Sequence, residues 1–404
     1  MVIDAPGDLP PRGAVLDSSQ EVPHLLNSGR EFFPALIQAI DAAHTEVLLE
    51  TYIFSPDKTG DDVAQALARA ARRGLRVRVV IDGFGTRPVP ERYLELWTGS
   101  GAQVQVFSPV PALLTLDRAR LRRLHRKLAC IDGEIGFVGG INVLDDLWDP
   151  NHGVLEHPRL DYAVRVRGRL AAEVQETMER LWEQVCAPGA IERNLGVRRL
   201  VRGGASTGAG LKSTQARLVL RDSLTQRRAI ERAYLRAIGQ ARREVLIATA
   251  YFFPGRRFRR ALREAAGRGV KVRLLLQGRA EYLLPHRAAQ AMYDSMLSHG
   301  IEIHEYTRSF LHAKVAVIDD WATVGSSNID PFSLLLSREA NVVVQDRGFA
   351  RQLRASIDHE IREGATQILM DQVRRRTWWQ RLAGWVAYGL LRLGVKVSGE
   401  RLDQ

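Results

Sequence analysis

The chain is written twice, and this limits its fold more than any local signal does. Residues Glu46–Thr51, EVLLET, return as Glu244–Thr249, EVLIAT. The run Ala66-Leu67-x-x-Ala70-Ala71-x-x-Gly74-x-x-Val77-Arg78 returns as Ala261-Leu262-x-x-Ala265-Ala266-x-x-Gly269-x-x-Val272-Arg273. Apolar residues three and four apart make one face of a helix, the glycine stops it, and a β-branched strand follows. The distance between copies drifts from 198 to 195 to 187 residues along the chain, as small loop deletions would produce. A repeat of this length predicts two domains of one fold about a pseudo-twofold axis. Strand, helix, strand in each copy predicts a right-handed crossover and a mainly parallel or mixed sheet covered by helices. Residues 203–210, GGASTGAG, read as a flexible linker, which puts the boundary near residue 205.

Inside the repeat lies a second correspondence. Leu124-His125-Arg126-Lys127 with Asp132 recurs as Leu311-His312-Ala313-Lys314 with Asp319. A glycine turn and an asparagine follow each: Gly139-Gly140-Ile141-Asn142 and Gly325-Ser326-Ser327-Asn328. A lone histidine in a strand is usually structural, and a lone H-x-K-x4-D is a weak motif. Two copies at matched places in a repeat are hard to explain by packing. Residues 122–131 alternate and end at Asp132-Gly133, a two-residue hairpin signal. On such a strand His125 and Lys127 share a face, as do His312 and Lys314. Asp132 and Asp319 close the strands, where a carboxylate can hold the lysine, joining the catalytic set, or brace the turn.

These groups suit one chemistry. A phosphodiester is an anion, so a site that cleaves it needs fixed positive charge and amide donors around the non-bridging oxygens. Lys127, Lys314, Asn142 and Asn328 fit that need. A neutral imidazole can attack phosphorus to give a phosphohistidine, and a second imidazole can protonate the leaving alkoxide. Nothing in this set calls for a metal or a cofactor.

Composition narrows the setting. A net charge of +12 favours polyanionic partners, either nucleic acid or an anionic membrane surface. Two cysteines, Cys130 and Cys186, are too few for a disulfide framework, and Cys130 sits in an apolar run where a buried, inert thiol is expected. No window reaches the roughly 18 to 20 uncharged apolar residues of a spanning helix, and the N-terminus has no signal-peptide core. Arg374-Arg375-Arg376 precedes Trp378, Trp379, Leu382, Trp385, Val386, Tyr388 and Leu390. Tryptophans flanked by arginines suit a helix lying in the headgroup region of an anionic membrane; packing on the second domain is the alternative. The basic stretch 118–126 could likewise gather headgroups or simply be solvated.

The motif pair resembles the signature of the phospholipase D superfamily, H-x-K-x4-D with a downstream G-G/S-x-N, and both copies match it. The resemblance implies two α/β/α sandwich lobes with one metal-free, cofactor-free site at their interface. It also implies a nucleophilic His125 and a general acid and base in His312. Members orient their histidines with a carboxylate beyond each motif. Asp161, 36 residues after His125, and Glu339, 27 after His312, occupy suitable positions. More of the chain is similar to the short bacterial cardiolipin synthases: residues 25–31, Glu50-Thr51-Tyr52-Ile53-Phe54 with Asp57 and Gly60, and Tyr251-Phe252-Phe253-Pro254. That likeness implies transfer of phosphatidyl to phosphatidylglycerol, with phosphatidylethanolamine as a further candidate lipid, at the cytoplasmic face of the membrane. A hydrolytic phospholipase and a nuclease-type phosphodiesterase are the alternatives; the tryptophan-rich tail disfavours nucleic acid. The expected division is 1–205 and 206–370 for the two lobes and 371–404 for an amphipathic tail.

Overall fold

The computed structural model describes residues 22–107, 123–149, 152–187, 216–221, 226, 228–279, 283–330, 337–375 and 377–397. The linker, the boundary near 205, residues 118–122 and Arg376 lie outside this set. In the first copy the strands are β1 (His24–Asn27), β2 (Glu46–Thr51), β3 (Arg76–Asp82), β4 (Gln103–Phe107), β5 (Arg123–Leu124), β6 (Lys127–Ile131), β7 (Ile135–Gly139), β8 (Trp148–Asp149), β9 (Gly153–Val154) and β10 (Tyr162–Arg167). Those of the second are β11 (Ala216–Arg221), β12 (Glu244–Thr249), β13 (Lys271–Gln277), β14 (Glu302–Tyr306), β15 (Lys314–Ile318), β16 (Trp321–Gly325), β17 (Ser337–Gln345) and β18 (Ala365–Ile368).

The sheet orders correspond position by position: β1-β10-β7-β6-β2-β3-β4 and β11-β17-β16-β15-β12-β13-β14, with β18 added to the second. In each, three strands run parallel, β2-β3-β4 and β12-β13-β14, and the others pair antiparallel. The predicted helices form as Lys58–Arg72 and Arg256–Gly267. Both are followed by a glycine with positive φ, Gly74 at 83° and Gly269 at 84°, a conformation that costs other residues.

Strand alternation sorts the cores. Val47, Leu49, Ala129 and Ile131 face the outer helices of the first lobe, and Val245, Ile247, Ala316 and Ile318 do so in the second. The intervening residues Leu48, Leu128, Cys130 and Val138 meet Leu246, Val315, Val317 and Val324 in one core shared by both sheets. The thiol of Cys130 is buried there, as its sequence context predicts. The helices Arg169–Cys186 and Arg347–Gly364 add Val174, Met178, Leu353 and Ile357 to this middle layer.

Two strand expectations are corrected. Residues 122–131 are not one strand. Arg123–Leu124 pairs with β17 of the other lobe, whereas Lys127–Ile131 pairs with β2 and β7 of its own, so the chain breaks at His125-Arg126 to serve both. The first hairpin is also one residue longer than predicted. Ile131 pairs with Ile135, leaving three residues in the loop, while Ile318 pairs with Trp321 across two.

The tail forms a helix, Trp378–Val397. It packs on the second lobe through Gly384, Ala387 and Tyr388, whose ring lies 5.0 Å from that of Phe253. Its opposite stripe, Trp378, Leu382, Trp385, Val386, Leu390 and Leu393, is exposed. Among the described residues no helix is long and apolar enough to cross a membrane.

Candidate active site

The short strand β5 delivers the first histidine to the opposite lobe. Leu124 is in register with Arg338 of β17, and the next residue, His125, donates its backbone N–H to the Arg338 carbonyl at 3.1 Å. The second copy does the same in reverse. Leu311 bridges to Leu160, and His312 donates its N–H to the Leu160 carbonyl at 2.8 Å. The residue after each of these carbonyls is a carboxylate. Nδ1 of His125 lies 3.1 Å from Glu339 Oε2, and Nδ1 of His312 lies 2.6 Å from Asp161 Oδ2. Each imidazole is thus gripped at its backbone and its ring by two consecutive residues of the other lobe. Counting forward along the sequence assigns Asp161 to His125 and Glu339 to His312; the fold exchanges them.

Both lysines are buried and turn back on the motif. Lys127 Nζ donates to the His125 carbonyl at 2.6 Å and lies 5.2 Å over the Tyr52 ring. Lys314 Nζ donates to the His312 carbonyl and lies 2.7 Å from His312 Nδ1 and 3.6 Å from Asp161. Burial is the largest influence on the titration of both imidazoles, of Lys127 and of both carboxyls. With the lysine charges it holds both imidazoles below their ordinary range, His312 down to about 3. Burial and then Lys314 bring Lys127 down to about 7. On the carboxyls burial pushes upward, but their partners outweigh it: the Lys314 ammonium and the His312 ring for Asp161, the His125 ring and the Arg221 guanidinium for Glu339, which falls to about 2. Each lysine also depresses the histidine of the other copy, so the two motifs share one electrostatic site. Near neutral pH it holds two neutral imidazoles between two carboxylates and two lysines.

Asn142 and Asn328 are buried at matched turns, each followed by a residue bridging to the chain that leaves β2 or β12. Asn142 Oδ1 accepts from the Ile53 N–H at 3.2 Å, which leaves its amide hydrogens to point elsewhere. The two aspartates of the motif are not brought to the site. Asp132 accepts from the backbone of His44, Thr45 and Glu46 at 2.8–2.9 Å, and Asp319 from Arg242, Arg243 and Glu244 at 2.8–3.0 Å. Five residues of strand, about 16 Å, separate Asp132 from Lys127. Both stand in the left-handed region, φ 53° and 52°. Their place in the catalytic set is therefore corrected to the second role open to them, bracing the turn.

Several residues at the site carry no sequence motif. Asp82 and Gln277 end the equivalent strands β3 and β13 and accept the N–H of Leu124 and Leu311, at 2.7 and 3.2 Å, just before each histidine. Their matched positions in the repeat were the available signal. Arg221, at the end of β11, donates to Glu339 at 3.2 Å. Tyr52, by contrast, belongs to the Glu50–Phe54 segment quoted for its family likeness; its ring lies 4.9 Å from that of His125.

The family described as "Cardiolipin synthase, PLD-like domain" matches residues 36–182 and 234–361, one stretch in each lobe. The chain belongs to that family. It is 37% identical to cardiolipin synthase B of Escherichia coli (strain K12) over 372 residues, 91% of this chain and 87% of that protein. It is 38% identical to cardiolipin synthase B of Salmonella typhi over 369 residues, with the same coverage. The crystal structure of phosphatidylserine synthase from Haemophilus influenzae Rd KW20 superposes with a TM-score of 0.70 at 14% identity, covering 93% of this chain and 94% of that one, a likeness of fold.

Within this PLD-like frame the two halves have diverged around equivalent roles. Gly140 leaves room for Asp161, since a Cβ there would stand 2.3 Å from its Oδ1; the second copy has Ser326, whose hydroxyl donates to Glu339. Between histidine and lysine, Arg126 forms a buried ion pair with Glu50 at 2.6 Å. The corresponding second-lobe residues are Ala313 and Ala248, both fully buried.

Proposed function

We propose that this chain is a phosphatidyltransferase that builds cardiolipin from phosphatidylglycerol through a phosphohistidine. The observation that carries the reading is the reciprocal clamp: each imidazole held through Nδ1 by a buried carboxylate of the other lobe, leaving Nε2 for chemistry. The cardiolipin synthases among its relatives support the substrate class. The neutral His125 attacks the phosphorus of one phosphatidylglycerol through Nε2, and the bond to the glycerol headgroup oxygen breaks. His312 gives that oxygen its proton, and phosphatidyl remains on His125. The hydroxyl of a second phosphatidylglycerol then loses its proton to His312 and attacks the same phosphorus, freeing His125. Lys127, Lys314, Asn142 and Asn328 hold the non-bridging oxygens, where positive charge and amide donors stabilise the developing negative charge. A bound phosphodiester anion offsets the lysine charge beside His312 and favours its protonated form, so His312 takes up the proton for this step from solvent as substrate binds.

In this reading residues 1–205 and 206–370 supply one half-site each. The tail, 371–404, rests its exposed tryptophan stripe on an anionic membrane surface, at the cytoplasmic face of the cell membrane, where the substrate lipids lie; nucleic acid has no part in the reaction. The test is product analysis with labelled phosphatidylglycerol vesicles. Cardiolipin and free glycerol are expected, and His125→Ala or His312→Ala should abolish both products. Phosphatidic acid in place of cardiolipin would assign the chain to hydrolysis. Cardiolipin formed at the parent rate by either variant would overturn the mechanism.

A further inference from the structure

We propose that a cavity under the tail helix is a second, non-catalytic site that takes the phosphate headgroup of an anionic phospholipid. The inference rests on the reading of this chain as a lipid enzyme and adds a place where it holds lipid without transforming it. The cavity, about 1040 Å³, lies between the helices Arg256–Gly267, Leu283–Gln290 and Trp378–Val397. This is ample for a small polar headgroup.

Its charge is one-sided. Arg259, Arg263, Arg287 and Arg374 line it against the single carboxylate of Asp294. On the outer side of the same helix, Arg260 is neutralised by Glu264 at 2.7 Å. Among the described residues Arg259, Arg263 and Arg287 have no ion-pair partner, and Arg259 instead lies 5.8 Å over the Tyr388 ring. Guanidinium groups gathered in one concavity repel one another until an anion enters, and phosphate oxygens match their paired N–H donors.

One wall of the cavity decides between a free anion and a lipid. It is the tail helix itself, through Gly384 and Trp385. A Cβ at Gly384 would stand 3.4 Å from the Arg287 carbonyl and from Ala291 Cβ, so the helix lies close over the cavity. Trp385 lines the cavity yet is 59% exposed, and Trp378, Leu382 and Val386 continue the exposed apolar surface. A ligand that fits both features carries its phosphate into the cavity and its acyl chains along the stripe.

The test uses the full chain with His125→Ala, which removes turnover, and phosphatidylcholine vesicles with or without phosphatidylglycerol. Arg263→Gln with Arg287→Gln should weaken binding to the anionic vesicles by about thirty-fold and leave binding to the neutral ones unchanged. Arg257→Gln with Arg260→Gln removes the same number of positive charges, both from the helix Arg256–Gly267 outside the cavity, and should cost far less. Equal losses in the two pairs would mean diffuse surface charge, and no loss in the first pair would mean an empty cavity; either overturns the proposal. With His125 intact, the Arg263/Arg287 variant should hydrolyse a water-soluble phosphodiester at the parent rate. A fall there would assign the arginines to the fold and also overturn it. Absence of cardiolipin synthesis by the parent protein would strike the catalytic reading alone, because the vesicle measurement involves no turnover.

Discussion

Lys127 stands two residues from His125, but its charge is set mainly by burial and by Lys314 of the other copy. Its pKa near 7 makes it the group whose charge changes in the working range. The site needs the ammonium, so kcat/KM on a soluble phosphodiester should fall as pH rises through about 7 and Lys127 loses its proton. The lowered histidines stay neutral down to below their ordinary range, so nucleophile loss belongs on the acid side of that profile. Lys127→Arg, whose guanidinium keeps its charge, should lower the rate and move the alkaline limb far upward. A parent profile flat to strongly alkaline pH would remove Lys127 from the role of titrating phosphate clamp. Asp132 behaves differently although it belongs to the same motif. Asp132→Ala removes the acceptor of three backbone N–H groups and should cost about 2 kcal/mol of stability, read as a lower urea midpoint. Turnover per folded molecule should be unchanged; a large drop in kcat would return Asp132 to the catalytic set.

The elements differ in how far the sequence announced them. The strands Glu46–Thr51 and Glu244–Thr249 and the helices that follow were legible because each carries its own period and each appears twice. The histidines, lysines and asparagines were legible for the same reason. The strand Arg123–Leu124 was not, because two residues have no period and their partner lies in the other lobe, more than 200 residues away. That missing pairing also hid which carboxylate serves which histidine. The tail posed a choice between packing and membrane contact, yet a helix has two sides, and Ala387 is buried while Trp385 and Val386 are exposed. Removing residues 374–404 should weaken sedimentation with anionic vesicles by ten-fold or more, on the order of 1 kcal/mol per basic residue near the surface plus the buried apolar area. Unchanged sedimentation would leave the helix a purely packing role.

At the scale of the whole molecule, the lobes are joined by more than a linker. They share a core, a two-residue ladder, a bridge, and the contact of Tyr162 with Ser356 at 3.0 Å. Such continuity predicts one cooperative transition on heating rather than two, measurable by calorimetry. Two resolved transitions would mean that the lobes hold their own folds and meet only loosely. The pairing of Gly140 in one half with Ser326 in the other has a consequence for how such a site can change over generations. Were the two halves identical separate chains, every substitution would strike both histidines at once, and neither could be adjusted alone. Encoded in one polypeptide, position 140 is inherited independently of position 326. Selection can therefore shape the environment of one imidazole while the other keeps its own.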